Sequence, residues 1–295
     1  MKAHRLLFPL VCIMVLWCCS SLTVQAAGHG QDRPVKKGIL LVAFGSSEPS
    51  AQISFEKIGQ AVQNQYPDIP VQWAYTSHLI RQKLARQGKH LYSPEVALAR
   101  MMDEKFTHVA VQSLHTIPGS EFHDLRRTIE GFRHMGSFTQ IVLGDPLMAT
   151  QSDLEKIVAA VFSSIPEQRQ KADAVVLMGH GTHHPANAFY AALMFQLQLQ
   201  DPLVYVGVVE GYPEVGLIRE LLRKQRVKTA YLMPLMSVAG DHAKNDMAGD
   251  DPDSWTSVLS ASGINCIPVL KGTAEFDAFV AIWVDHLAAS LRQLE

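Results

Sequence analysis

Short apolar runs alternate with longer amphipathic stretches along almost the whole chain, and the alternation passes through the same order twice. In the first pass Gly38–Phe44, Val71–Tyr75, Thr107–Leu114 and Gln140–Leu143 read as strands. Helices are expected over Glu48–Gln65, from Ser93-Pro94-Glu95 onward, over Ser120–Arg133, and from Ser152 to Ser164. Ser93 is a capping residue with proline at the first helical position, and Ser152 with Glu155 has capping-box spacing. In the second pass the strands are Ala174–Met178, Leu203–Val209, Lys228–Met233 and Cys266–Leu270, with helices over Asn187–Leu199, Pro213–Gln225 and Ala274–Leu294. Such alternation demands parallel sheets with helices on both faces, an α/β fold. The loops correspond as well: Gly45-Ser46-Ser47 with Gly179-His180-Gly181, Thr76-Ser77-His78 with Glu210-Gly211-Tyr212, and Leu114–Gly119 with Leu235–Gly240. Two similar lobes follow, residues 28–168 and 169–295, enclosing a cleft between their strand ends.

Residues 1–27 stand apart from this pattern. Lys2 and Arg5 precede an apolar run from Leu6 through Trp17, and Val24-Gln25-Ala26 or Gln25-Ala26-Ala27 offers small residues for cleavage. That is the layout of a secretory signal peptide, so the chain is expected in the periplasm; the competing reading is an uncleaved anchor. No later stretch is long and apolar enough to span a bilayer, so no transmembrane segment is expected after cleavage. Removing Lys2 and Arg5 from the 26 basic residues deepens the excess of the 28 acidic ones. Nothing in that balance calls for nucleic acid as a partner. Of the four cysteines only Cys266 lies beyond the leader, so the mature chain has no internal disulfide and relies on core packing.

The chemistry concentrates at strand ends. His180, Glu210 and His242 each follow a second-lobe strand. Two imidazoles and a carboxylate suit Co²⁺, Fe²⁺, Ni²⁺ or Zn²⁺ and leave coordination positions open, provided that the three loops converge. Otherwise Glu210 is a plain loop carboxylate and His242 a solvated residue at a helix start. Asp241 either orients His242 or caps the following helix. His183 and His184 are spare ligands, proton shuttles or caps. In the first lobe His115 faces the cleft by the loop correspondence and is a candidate for substrate contact. Glu121 either receives metal or a proton, or is a first-turn carboxylate favoured by the helix dipole. His123 points elsewhere on the same helix, and His90, His108 and His286 have no evident partner. The chain lacks GxxxxGK[ST], a GxGxxG after the first strand, and GxSxG, which argues against nucleotide hydrolysis, dinucleotide binding and a serine hydrolase.

Met178–Asn187 (MGHGTHHPAN) together with Leu232–Asp250 (LMPLMSVAGDHAKNDMAGD) resembles the anaerobic cobalt chelatases of the CbiK type. Val208–Pro213, Gln112–Leu125 and Ile39–Ser47 carry the same resemblance, which spans essentially the whole mature chain. It implies two Rossmann-like lobes around a tetrapyrrole cleft and ATP-independent insertion of Co²⁺ into sirohydrochlorin, with Fe²⁺ as a second metal. It implies His180, Glu210 and His242 as metal ligands, and Glu121 on the opposite side. His180 is the expected acceptor of pyrrole protons. Ser46, Ser47, Arg126 (with Arg127) and Lys244 are candidates for the substrate's carboxylates. Chelatases of this type work in the cytoplasm, whereas this chain carries an export signal. A periplasmic haem or metal carrier on the same fold is therefore the alternative, with His123 or His183 as haem or secondary metal ligand. Faces such as Met194-Phe195 are either core or the contact of a homo-oligomer.

Overall fold

The structure, a computed structural model, describes residues 34–294. The signal-peptide reading of residues 1–27 lies outside the described residues. The first half runs β1 (Lys37–Ala43), α1 (Gln52–Gln65), β2 (Val71–Tyr75), α2 (His78–Arg86), α3 (Pro94–Asp103), β3 (His108–Ser113), α4 (Ser120–His134), β4 (Gln140–Gly144) and α5 (Gln151–Ser164). The second runs β5 (Ala174–Gly181), α6 (Ala188–Gln200), β6 (Val204–Glu210), α7 (Val215–Lys224), β7 (Thr229–Pro234), α8 (Trp255–Ser260), β8 (Asn265–Pro268) and α9 (Asp277–Arg292).

The strands form two four-stranded parallel sheets, ordered β2-β1-β3-β4 and β6-β5-β7-β8. The orders are the same when the halves are superposed in sequence, which is the repeat anticipated from the loops. In each sheet the order reverses between the first and third strands. Loops leaving those two strands diverge to opposite faces and open a crevice.

Side chains alternate across a strand, so each sheet contributes to two cores. Leu40 and Val42 of β1 pack outward with Leu98 and Met101 of α3 and Leu125 and Ile129 of α4. Val176 and Met178 of β5 do likewise with Ile218 of α7 and Trp255 of α8. The intervening residues, Ile39 and Leu41 on one sheet and Val175 and Leu177 on the other, join a third core that both sheets share. Helices α1, α5, α6 and α9 fill it, with Trp283 and Phe279 among its largest buried side chains. The expected boundary at 168/169 thus separates the sheets but not the helices, because α9 crosses back onto β3 and β4 of the first sheet. Phe279, Val280, Ile282, Trp283, Val284, Leu287 and Leu291 are all buried because α9 is covered by that sheet on one side and by α5 and α1 on others.

Three local expectations need correction. The capping box of α5 is Thr150 with Asp153, not Ser152 with Glu155: Thr150 Oγ1 accepts from Asp153 N at 3.2 Å, and Asp153 Oδ2 accepts from Thr150 N at 2.8 Å. The extended backbone at Thr150 starts the helix earlier than the serine did. Second, α2 and α8 were not foreseen; α2 buries only Leu84 and α8 is six residues long, so neither carries a strong apolar period. Third, His286 does have partners. Its Nε2 lies 2.9 Å from Asp153 Oδ1 and its Nδ1 3.2 Å from the Asp145 carbonyl, which ties α9 to the N-terminus of α5.

Burial pushes the Asp153 carboxyl up, but the hydrogen bond and charge of His286 and the hydrogen bonds of Thr150 outweigh it, leaving the group below the ordinary carboxylate range. A carboxyl lowered on folding contributes stability above its unfolded pKa and loses it as pH falls through the folded value. Asp153→Asn should therefore lower the denaturation midpoint at pH 7. The gap from wild type should shrink as pH falls through about 4 and below. A gap that stays constant down to acid pH, measured by denaturant melts, would contradict this linkage.

Candidate active site

The loops after β1, β3, β5 and β7, all at the two order-reversal points, converge on one cavity of about 480 Å³. Phe44–Ser47 and Leu114–Ile117 line it from the first sheet, and His180–Thr182, Met236–Val238 and Gly240–His242 from the second.

The backbone that presents His180 is tightly specified. β5 runs on through Gly181 rather than ending at Met178. A Cβ at Gly179 would sit 2.4 Å from the Tyr190 ring, which is buried directly behind it. Gly181 has φ +82°, and a Cβ there would meet the Glu210 carbonyl oxygen at 1.9 Å. The Gly-His-Gly sequence is thus the one that lets β5 and β6 close together while the imidazole enters the cavity. His180 Nδ1 stands 3.1 Å from the Gly181 carbonyl, and the Phe44 ring lies 6.3 Å from the imidazole.

His242 reaches the same point from the loop after β7. Its ring centroid is 4.7 Å from that of His180, with the rings at 85°. His242 caps a π-helical turn, Ala243–Met247, and on that turn Asp246 Oδ2 meets His242 Nδ1 in a close hydrogen bond. Asp246, not the adjacent Asp241, therefore orients the imidazole; Asp241 Oδ1 accepts instead from Asn245 Nδ2 at 3.0 Å. With the Nδ1 proton given to the carboxylate, Nε2 of His242 is left with a free lone pair.

The expected triad borders one cavity, with Glu210 set apart from the imidazole pair. Glu210 borders the cavity, but among the described residues no three His, Cys, Asp or Glu side chains come together closely enough to hold a metal ion. The register supplies the reason: Glu210 pairs with Gly181, so it does not share His180's position on the pleat and stands exposed at the end of β6. What folding assembles is a pair of imidazoles, His180 and His242, on a shared cavity with Glu210 at its edge.

The first-lobe wall carries Ser46, Ser47, His115 and Glu121. Ser46 is buried and accepts from Glu48 N at 3.2 Å. Glu121 is exposed in the first turn of α4 and also lines the cavity. His115 exposes part of its residue surface, yet its ring nitrogen Nε2 is fully buried and has no hydrogen-bond partner among the described residues. Burial depresses that imidazole to about 4.

The basic candidates fall elsewhere. Lys244 is paired with Glu48 at 2.6 Å, a contact that bridges the two lobes rather than lining the cavity. Arg126 stacks over the Phe122 ring at 5.1 Å and, with Arg127, lines a separate surface cavity. Lys83 on α2 is the lysine that lines the cleft; it went unnoticed because α2 did. His123 also lies outside the cleft, its ring 4.9 Å from that of His184. His184 Nδ1 accepts from Ala186 N at 3.1 Å and so caps the short turn that follows, while His183 is exposed.

Comparison with known proteins agrees on one relationship. Residues 37–292 match the family model described as cobalt chelatase (CbiK). The chain is 46% identical over 260 residues to the sirohydrochlorin cobaltochelatase CbiKC of Nitratidesulfovibrio vulgaris Hildenborough, covering 88% of this chain and 92% of that one. It is 38% identical over 259 residues to a sirohydrochlorin cobaltochelatase of Salmonella typhimurium, covering 87% and 97%. Among solved structures it is similar in fold to SirB of Bacillus subtilis with Fe³⁺ (TM-score 0.60, 18% identity, 88% of this chain and 99% of that one). It is also similar to CbiX, described as the terminal enzyme of sirohaem biosynthesis in denitrifying bacteria (TM-score 0.53, 14% identity, 86% and 99%).

Removing the carboxylate that orients a ligating imidazole typically costs about 10–100-fold in metal affinity. Asp246→Asn should weaken Co²⁺ binding by about that factor while leaving the thermal melt near wild type. Unchanged affinity in calorimetric titration would remove Asp246 from the site.

Proposed function

The chain belongs to the CbiK family of cobalt chelatases, and from that premise we propose how its cleft works. The protein inserts Co²⁺ into sirohydrochlorin. Cobalt enters as substrate while two pyrrolic N–H protons leave, so the exchange balances without an oxidant, a reductant or a nucleotide, and we take it to be ATP-independent.

The observation that carries the mechanism is the His180–His242 pair at the junction of both sheets' crevices. The two imidazoles hold the ion over one face of the macrocycle, and Glu210, at the rim, completes its coordination as the loops adjust around the substrate. The difficult step is exposing a pyrrole lone pair, which a planar ring directs inward. Walls on both lobes that grip the periphery stabilise a bent ring with binding energy taken from its edges. Phe44 and Val238 supply apolar surface for the ring face, and Ser46, Ser47 and Lys83 polar groups for its carboxylates. As the ion passes to the ring and frees the imidazole lone pair, His180 receives a pyrrole proton, and Glu121 on the facing wall is the exit for the other.

Fe²⁺ is proposed as an alternative substrate, because imidazole donors accept both ions. Haem is proposed as a ligand of His123 or His183, outside the cleft, on the ground that His123 and His184 face a cavity of their own. We also propose that the mature protein works in the periplasm after cleavage near Ala26 or Ala27. Intact-mass measurement on the protein from a periplasmic fraction should find the shortened chain; a full-length cytoplasmic product would refute that.

The direct assay follows the absorbance change of sirohydrochlorin with Co²⁺ in the absence of ATP. Many turnovers per protein are expected, and His180→Ala and His242→Ala should each lose most of the rate while remaining folded. One metallated ring per protein with no release would identify a carrier instead. Wild-type rates in both variants would remove the imidazole pair from the mechanism.

A further inference from the structure

The cleft wall facing the imidazole pair contains a polar group that the scheme above leaves idle. His115 follows β3, the strand at the first sheet's order reversal, and lines the cavity. Its Nε2 has less than 1 Å² of exposed surface and no partner among the described residues. A buried polar atom left without a partner is costly, so one that lines a ligand cleft marks the place of a ligand group.

The neighbouring serine decides what that nitrogen can do. Ser113 is fully buried. Its Oγ accepts from the His115 backbone N–H at 3.3 Å and lies 2.9 Å from His115 Nδ1. Among the described residues the Ser113 hydroxyl has no other acceptor in reach. A hydroxyl carries one proton and must place it, so it donates to Nδ1, which then holds a lone pair. The ring proton therefore sits on Nε2, the buried, unpartnered nitrogen of a residue that lines the cleft. With the ring depressed to about 4 by burial, it stays uncharged near neutral pH.

We propose that His115 is a substrate-positioning residue whose Nε2–H donates to a carboxylate arm of the macrocycle, with Ser113 fixing the tautomer. The proposal rests on the cleft being the macrocycle's site. A neutral donor suits this wall better than a cation: it takes a carboxylate without placing a positive charge where a divalent ion must enter. Arg126 and Lys244, the residues that the sequence offered for this task, are engaged elsewhere. The inference also gives the site a preference for carboxylated rings, because an apolar arm would leave the nitrogen unpaired.

Three variants test it in the full protein: His115→Phe removes the donor, His115→Gln keeps an N–H near the Nε2 position, and Ser113→Ala releases the tautomer. Steady-state metallation of sirohydrochlorin should show KM raised about tenfold to a hundredfold for His115→Phe, the usual loss for a hydrogen bond to a charged group. Its kcat should stay within about twofold of wild type, and His115→Gln should return KM most of the way. Nitrogen-15 spectra of histidine-labelled protein should find the proton on Nε2 in wild type and a mixed population in Ser113→Ala. A proton on Nδ1 in wild type, or an unchanged KM in His115→Phe, overturns the proposal. A fall in kcat that glutamine does not rescue also overturns it, since the ring would then be taking a pyrrole proton. The spectra need no substrate, and wild-type turnover is measured alongside, so a failure of the chelatase reading stays distinct from a failure of this one.

Discussion

Burial of α9, the chain's last helix, against the first sheet is the constraint on which the rest of the architecture depends. Its apolar residues belong to the one core that takes side chains from β1 and from β5 alike. Fully burying a large side chain stabilises by about 1.5–3 kcal/mol, and α9 alone buries Phe279, Ile282, Trp283 and Leu287 in that layer. Two independent lobes could rock freely about a linker. Here the final helix of the chain lies on the first sheet, and Asp153 and His286 pin it to α5. The four loops at the order-reversal points are thereby held facing one another, and a cleft whose walls come from both halves keeps its shape.

That frame explains why histidines sixty residues apart meet. His180 and His242 follow the two strands, β5 and β7, that flank the reversal in the second sheet. Neighbouring strand ends bring their loops together whatever the sequence distance. The glycines around His180 allow close backbone approach, and the π-helical turn after His242 places Asp246 behind the imidazole. The opposite wall is built the same way from β1 and β3, which carry Ser46 and His115. The wall proposed to hold the metal and the wall proposed to hold the macrocycle are thus products of one repeated topology, with the residues changed between copies.

Much of this was legible in the chain. The doubled order of strands predicted parallel sheets, and the loop correspondence located His180, His242, Ser46 and His115 at strand ends facing a common space. Those readings succeeded because period and strand order are carried by many residues at once. The failures were local. Asp246 was missed because four residues beyond a histidine means one thing on an α-helix and another on a π-turn, and the sequence does not announce the latter. Lys83 was missed with α2, a helix that buries one side chain. Glu210 follows a strand as the imidazoles do and borders their cavity, but its distance from the pair is set by the pairing register, which depends on a partner strand and which no single segment encodes. Arg126 and Lys244 were read as substrate contacts from their charge; in the fold they meet Phe122 and Glu48, partners that charge alone does not reveal. Side-chain partners across long sequence separations, such as His286 with Asp153, lay outside what spacing can reveal.

The central claim is that His180 and His242 jointly hold the entering ion. X-ray absorption at the cobalt edge, on protein loaded with one equivalent of Co²⁺ before substrate is added, addresses it directly. The account predicts scattering from two imidazole rings in the wild-type protein and from one in His180→Ala or His242→Ala. A shell of oxygen donors alone, or two rings persisting in either variant, would contradict it.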